Sequence, residues 1–251
     1  MRREPREFHF AFSLLTSHDC ITLNIFRLPM LQSSTVNFLK SLAKNNNKIW
    51  LDAHRNQYMD AKSDFENFVS ILIKKTAQFD SDVKELQVKD CVFRLNRDIR
   101  FSKNKTPYKI NMGASINRGG KKSIYAGYYF HVEPGGKSFV GGGLWMPMAS
   151  ELKKIRQEID YCFDEFKSIV EGKSFVSEYK ELESTPDVKL NNLPRGYDKE
   201  NPAGEYLKFK SLIATKYLSD ADLTNNKLTE KAIKAFKALM QLVKFINKAL
   251  E

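Results

Sequence analysis

Apolar residues recur at helical spacing at both ends of the chain and at a spacing of two in its middle, and this alternation predicts the order of elements. Helices are predicted across residues 34–80, where Val36, Leu39 and Leu42 fall on one face, followed by Phe65, Phe68, Val69, Leu72, Thr76 and Phe79. Ser33, Ser34 or Thr35 is placed to cap the first helix, and Asn47 closes the polar break Asn45–Asn47 as the next N-cap. Period two takes over in 91–146 and predicts strands at 91–96, 110–117, 124–133 and 137–145, the last two joined by a hairpin around Pro134, Gly135 and Gly136. A helical stripe returns at Leu152, Ile155, Ile159, Cys162 or Phe163, Phe166 and Ile169, predicting a helix over 150–171 with Ser150 at its start and Gly172 at its end. A further helix is predicted near 174–183. A proline- and glycine-rich loop follows over 184–205, then a strand over 206–217 and an amphipathic helix over 229–249 with Ile233, Phe236, Met240, Val243 and Ile246 on its apolar face.

Helices, sheet, helices, strand and helix in that order do not make a regular βαβ alternation. They predict an α+β fold: a largely antiparallel sheet with a glycine-rich hairpin, packed against several helices. With no internal repeat and no low-complexity linker, residues 30–251 read as a single domain. The chain has 251 residues, 42% hydrophobic and 28% charged, an ordinary globular mix. No apolar stretch approaches the roughly 18 residues of a membrane span. Three widely spaced cysteines, Cys20, Cys91 and Cys162, make neither a disulfide framework nor a metal motif, which points to a reducing, cytoplasmic setting. Residues 1–29 differ from the rest: a basic start, a short apolar patch from Phe10 to Leu15 and interrupting polar residues fit neither a secretory nor a transit signal. They read as an extension, disordered or lying upstream of a biological start at Met30, which would remove His9, His18 and Cys20 from any functional account.

The net charge of +11 is concentrated. Residues 91–122 hold nine basic residues against the single acid Asp98, and residues 229–251 hold the rest of the excess; elsewhere acids and bases balance. Two GKS-like stretches, 131–138 and 119–123, fail as phosphate loops because each sits in a turn between strands rather than before a helix. The stronger signal is Arg94, Arg97, Asp98, Arg100, Lys103, Lys105, Tyr108 and Lys109 with Phe101 among them. Arginines grip oxyanions bidentately, lysines add point charge, and aromatic faces stack. The plain alternative is a solvated basic loop with Asp98 in a salt bridge. Alternation in 124–133 places Tyr125, Gly127, Tyr129, His131 and Glu133 on one face, with glycines recurring in neighbouring strands, the composition of a pocket floor or of a crowded sheet. Arg94 and Lys208 or Lys210 could reach that face. His131 can move protons near neutral pH. It and His54 are the two histidines after Met30, and neither has a second ligand at metal spacing. No metal or cofactor is implied.

Several runs occur together in order: FL at 38–39, NNN at 45–47, WLD at 50–52, DCVFR at 90–94, RDIRFSKNKTPYK at 97–109, AGYY at 126–129, HVEPGG at 131–136, GGGLWMP at 141–147 and LPRG at 193–196. From about Met30 to its end the chain resembles the domain of unknown function numbered two-four-six-one, found in bacteria and some fungi. The resemblance implies no established activity. It departs from the family pattern at Asn104, where relatives commonly have Asp, and at Asn201, where they often have His, so an acid or base supplied there in relatives is missing here. Three functions fit the residues. The first is a pocket for a phosphorylated or otherwise anionic small ligand, with Tyr125, Tyr129 and His131 as its floor, the basic run as its rim, and Asp98 and His131 as acid–base groups if it is an enzyme. The second is a nucleic-acid-binding module using the same cations, with Phe101 and Tyr108 stacking. The third is a scaffold that meets an acidic partner.

Overall fold

A computed structural model of the protein describes residues 30–251; the sequence readings on 1–29, including His9, His18 and Cys20, lie outside the described residues. The chain begins with α1 (Ser33–Lys44), α2 (Lys48–Ala53) and α3 (Arg55–Thr76). Asn47 caps α2 as its spacing predicts, its side chain accepting from the Trp50 amide. The start of α1 is built differently. Gln32 occupies the cap position, and Asp64 of α3 accepts from the Gln32 amide and the Thr35 hydroxyl, so a neighbouring helix does what a local serine was expected to do. A single 3-10 turn (Ser81–Val83) and the short α4 (Val88–Cys91) lead to the sheet.

The sheet has four antiparallel strands in sequence order: β1 (Met112–Asn117), β2 (Gly127–Val132), β3 (Ser138–Leu144) and β4 (Leu212–Leu218). The predicted strand at 91–96 does not form. Val92 bridges Ala114 and Phe93 donates to the Gly113 carbonyl, but the chain then leaves β1. Asn96 bridges Tyr108, and Arg97 and Lys109 donate to the carbonyls of Pro107 and Leu95. The basic run is therefore a protruding loop closed on its own base, and its foot covers part of the β1 edge. Residues 124–126 also stay out of β2, because Asn247 of the last helix takes the Ala126 amide at 2.8 Å.

After β3 the predicted helix over 150–171 forms as two, α5 (Ala149–Tyr161) and α6 (Phe163–Val170), broken at Cys162 with φ −113° and ψ 42°. Met148, not Ser150, precedes the first. Gly172 does not end the second in a left-handed cap; it opens α7 (Lys173–Tyr179), which stops at Lys180, φ +68°. The stretch predicted as strand from 206 onward starts instead with one helical turn, α8 (Gly204–Leu207), and only Leu212–Leu218 joins the sheet. α9 (Asp220–Leu223) and α10 (Leu228–Leu250) complete the chain.

One face of the sheet is sealed. Ala114, Ile116, Tyr128, Phe130, Val132, Val140 and Ala214 are fully buried, with Phe130 against Phe65 and Phe68 of α3 and Tyr128 against Phe236 of α10. Helix α10 packs against the sheet and against α3, α5, α6 and α7. Its buried surface is consequently wider than an amphipathic stripe: Ala235, Leu239, Leu242 and Phe245 are at its centre, while Ile233 and Met240 are only half-buried. Lys234, Lys237, Lys244 and Lys248 keep the wet face, as expected. Among the described residues, no helix is long and apolar enough to cross a membrane.

Candidate functional site

Helices cover only the α3–α10 face, so the opposite face of the sheet carries whatever the alternating residues put there. Registry across the four strands sets them in rows. Gly113, His131, Phe139 and Tyr217 form one row; Ser115, Tyr129, Gly141 and Thr215 the next; Asn117, Gly127, Gly143 and Ile213 the third. A cavity of about 500 Å³ lies over them, closed at its sides by Phe93, Tyr125 and Trp145. That volume suits a small molecule.

The third row has no side chains at its centre, and the backbone forbids them. Gly143 has φ +108°, and a Cβ there would meet the Leu212 carbonyl oxygen at 2.0 Å; at Gly127 it would meet the Asn117 Cβ at 2.2 Å. Close strand approach requires the glycines, and a flat backbone trough results. The first row is aromatic, and Tyr129 of the second joins it. His131 stacks on Phe139 with centroids 4.7 Å apart, Tyr129 lies 5.7 Å from Phe139, and Phe93 and Tyr217 extend the series at 6.2 and 6.1 Å.

His131 Nε2 lies 3.3 Å from Glu133 Oε2, both side chains being largely buried, while Nδ1 is buried without a hydrogen-bond partner. Burial pushes the imidazole below its ordinary value of 6.5, outweighing Glu133, and Lys109 adds to the fall. The ring is thus neutral at neutral pH, one nitrogen committed and one open. Glu133 also takes Lys137 at 3.3 Å. At the β4 side the Thr215 hydroxyl donates to the Glu183 carboxylate, and Glu183 is held at the strand edge by its backbone amide donating to the Ile213 carbonyl. Burial raises the Tyr129 hydroxyl.

The sequence-predicted residues divide into two groups. Tyr125, Tyr129 and His131 line the cavity. Lys109 lies beside it: its Nζ is 5.4 Å from the centroid of Phe93, a cavity wall, and it acts on His131. Burial and the neighbouring Arg94 push the Lys109 ammonium below its ordinary range, and among the described residues neither cation has an ion-pair partner. The remaining predicted residues belong to the protruding loop and do not line the cavity. Arg100 holds both oxygens of Asp98, at 3.0 and 2.7 Å, and lowers its carboxyl. Arg97 donates to the Thr106 hydroxyl at 2.5 Å, and Lys105 to the Ile99 carbonyl at 3.0 Å. Lys103 is exposed, and Tyr108 is pinned at its backbone by the Asn46 amide group. Lys208 and Lys210 turn away, to Glu205 and to the Pro186 carbonyl. The hairpin that imitates a phosphate loop gives its Gly135 and Gly136 amides to Asp220.

Sequence reasoning missed Phe93, Phe139, Trp145, Thr215 and Glu183 as neighbours of the site, since no local pattern brings them together. Glu133 was legible, two residues from His131 on the same strand face. Asn104 and Asn201, the two departures from the family pattern, both act locally: Asn104 accepts from Thr106, and Asn201 accepts from the Ala203 amide and donates to Asp160. Among the described residues no cluster of three or more His, Cys, Asp or Glu comes together at a metal-binding geometry. The buried Cys91 thiol is pushed up to about 11 by burial, which removes it from nucleophilic roles.

Neither the curated proteins nor the solved structures contain a match to this chain. The family model described as conserved hypothetical protein DUF2461 matches residues 34–245, from the second residue of α1 through the basic loop and all four strands into most of α10. The chain belongs to the DUF2461 family.

Proposed function

We propose that the open face of the sheet is a binding site for a small anionic ligand, with Lys109 and Arg94 as the anion-binding groups and His131 as the proton-handling group beside them. The observation that carries this reading is Lys109: a half-buried ammonium over Phe93, next to a second cation and beside a cavity, with no ion-pair partner among the described residues. Holding a half-buried ammonium beside Arg94 costs free energy, and an arriving anion relieves it. The loop cations Arg97, Arg100, Lys103 and Lys105 add long-range attraction rather than contacts. Asp98 is the weaker acid–base candidate because Arg100 occupies both of its oxygens. A ligand that binds only the folded state stabilises it, by about 2.7 kcal/mol at a hundred times its Kd. Thermal unfolding should therefore shift upward with inorganic phosphate and phosphorylated small molecules, and the shift should be lost in Lys109→Ala. An equal shift in the variant counts against this assignment.

A second reading, a module for single-stranded nucleic acid, is favoured by Phe101. It is 95% exposed at the tip of the basic loop, with the Arg100 guanidinium 5.9 Å from its ring. Exposed aromatics among cations are the equipment for stacking on bases. Steep loss of oligonucleotide affinity with salt, weakened by Phe101→Ala and Lys103→Ala, would favour it over the first.

A further inference from the structure

Resting on the reading of the sheet face as an anion site, the geometry points to the chemical class of the ligand: a nucleotide, with its flat heterocycle in the glycine trough and its phosphate at Lys109 and Arg94. Three observations converge.

The trough is shaped for a plate. Its floor at Gly127 and Gly143 is bare peptide, and no substitution can fill it without moving the strands. Asn117 and Ile213 bound it across the sheet, three strand spacings or about 14 Å apart, wide enough for a fused ring system lying flat.

An indole stands at its mouth. Trp145 lines the cavity and is 60% exposed, although a tryptophan is among the side chains with most to gain from burial. The chain is bent to keep it there. The next residue, Met146, sits at φ +46°, a left-handed conformation disfavoured for a non-glycine residue, and its amide is fastened to the buried Ser211 hydroxyl at 2.8 Å. Tyr125, half-buried, is a second ring lining the cavity, with the Arg118 guanidinium 4.6 Å from its centroid. Planar π-systems beside a flat floor recognise a planar ring.

The charge of Lys109 and Arg94 lies away from the trough, while Lys121, which also lines the cavity, has its ammonium on the Lys89 carbonyl. Lys109 adjoins the row of His131 and Phe139, four residues along β2 from the row of Gly127, about 13 Å at the rise of a strand. A ligand that uses both features carries a flat ring and an anion held apart by a polar spacer. The intervening row holds Ser115, Tyr129 and Thr215; the Ser115 and Thr215 hydroxyls donate to Asn117 and Glu183 and keep lone pairs to accept with, and the Tyr129 hydroxyl reaches to Gly113. Base, sugar and phosphate meet this description, either free or as one unit of a single strand.

Isothermal titration calorimetry on the full chain tests the inference with the common ribonucleoside 5′-monophosphates, ribose 5-phosphate, inorganic phosphate and a short single-stranded polyadenylate. At least one monophosphate or the oligonucleotide should bind about tenfold or more tightly than ribose 5-phosphate. Trp145→Ala should weaken that ligand about tenfold and leave ribose 5-phosphate unchanged. Trp145→Phe should restore most of the affinity, which separates stacking from a folding defect. Lys109→Ala should weaken every phosphate-bearing ligand. Oligonucleotide binding tighter than monophosphate binding, falling steeply with salt, supports the inference and assigns the nucleotide to a strand; the opposite ranking supports it and assigns a free nucleotide. Ribose 5-phosphate or phosphate binding as well as any nucleotide, unaffected by Trp145→Ala, overturns the ring assignment and leaves the anion site standing. No binding of any of these ligands overturns both.

Discussion

Glu133→Gln should lower the midpoint at which His131 titrates. The two side chains meet at 3.3 Å and are only 13% and 17% exposed. A unit charge pair at that distance interacts by about 5 kcal/mol at an effective dielectric constant of about 20. Carboxylates this close commonly move a partner by about one to three pKa units, so a fall of at least about one unit, or about 1.4 kcal/mol, is expected. The wild-type imidazole already lies below 6.5, because burial and Lys109 together outweigh Glu133. Removing the carboxylate leaves only the depressing influences. Lys109→Ala acts in the opposite sense and should raise the midpoint toward 6.5. Two-dimensional NMR of the imidazole Cε1–H across pH 4–8 measures all three proteins. The same shift has a consequence for stability. A histidine depressed in the folded state contributes stability fully above its unfolded value, and that stability is lost as pH falls from 6.5 through the folded midpoint. In Glu133→Gln the loss should extend to lower pH. A wild-type midpoint above 6.5, or one that Glu133→Gln leaves unchanged or raises, would refute the assigned environment of His131 and with it the role proposed for this residue.

Other expectations concern the scaffold that holds the site. The Tyr128 hydroxyl, fully buried, donates to Asp80 at 2.7 Å, so Tyr128→Phe should cost about 2 kcal/mol in urea unfolding, a bond to a charged acceptor being worth about 1.5–3 kcal/mol; a loss within experimental error would mean that Asp80 finds water instead. Lys231 and Ser219 hold Asp222 down to about 2, so the stability it contributes should be complete above 3.8 and fade as pH falls toward 2, and Asp222→Asn should flatten that part of the stability profile. Gly143→Ala should cost at least about 1–3 kcal/mol from its positive φ, with the Leu212 carbonyl clash added, and should abolish ligand-induced stabilisation, because β3 and β4 must separate to admit a methyl group; a variant as stable as the wild type would show that the trough floor can give.

The sequence by itself determined the class of fold. Period-two runs bounded by glycine and asparagine turns predicted half-buried strands, four of which form, and the stripes of α3 and α10 predicted helices with an apolar side. It also determined where the charge is and which β2 residues share a face, since alternation is a property of the backbone: Tyr125, Tyr129 and His131 were grouped before any contact was known. Tertiary structure decided the rest. Residues 91–96 have strand composition, yet only Val92 and Phe93 meet the free edge of β1; 95–97 pair instead with the base of their own loop, so the basic run projects into solvent while Lys109 and Arg94 remain beside the cavity. Capping of α1 by Asp64 and the engulfment of α10 each depend on residues far away in the chain. So does the site. Phe93, Phe139, Trp145 and Glu183 reach the same face as His131 through strand order and register, which arise from long-range pairing and helix coverage that no local spacing encodes.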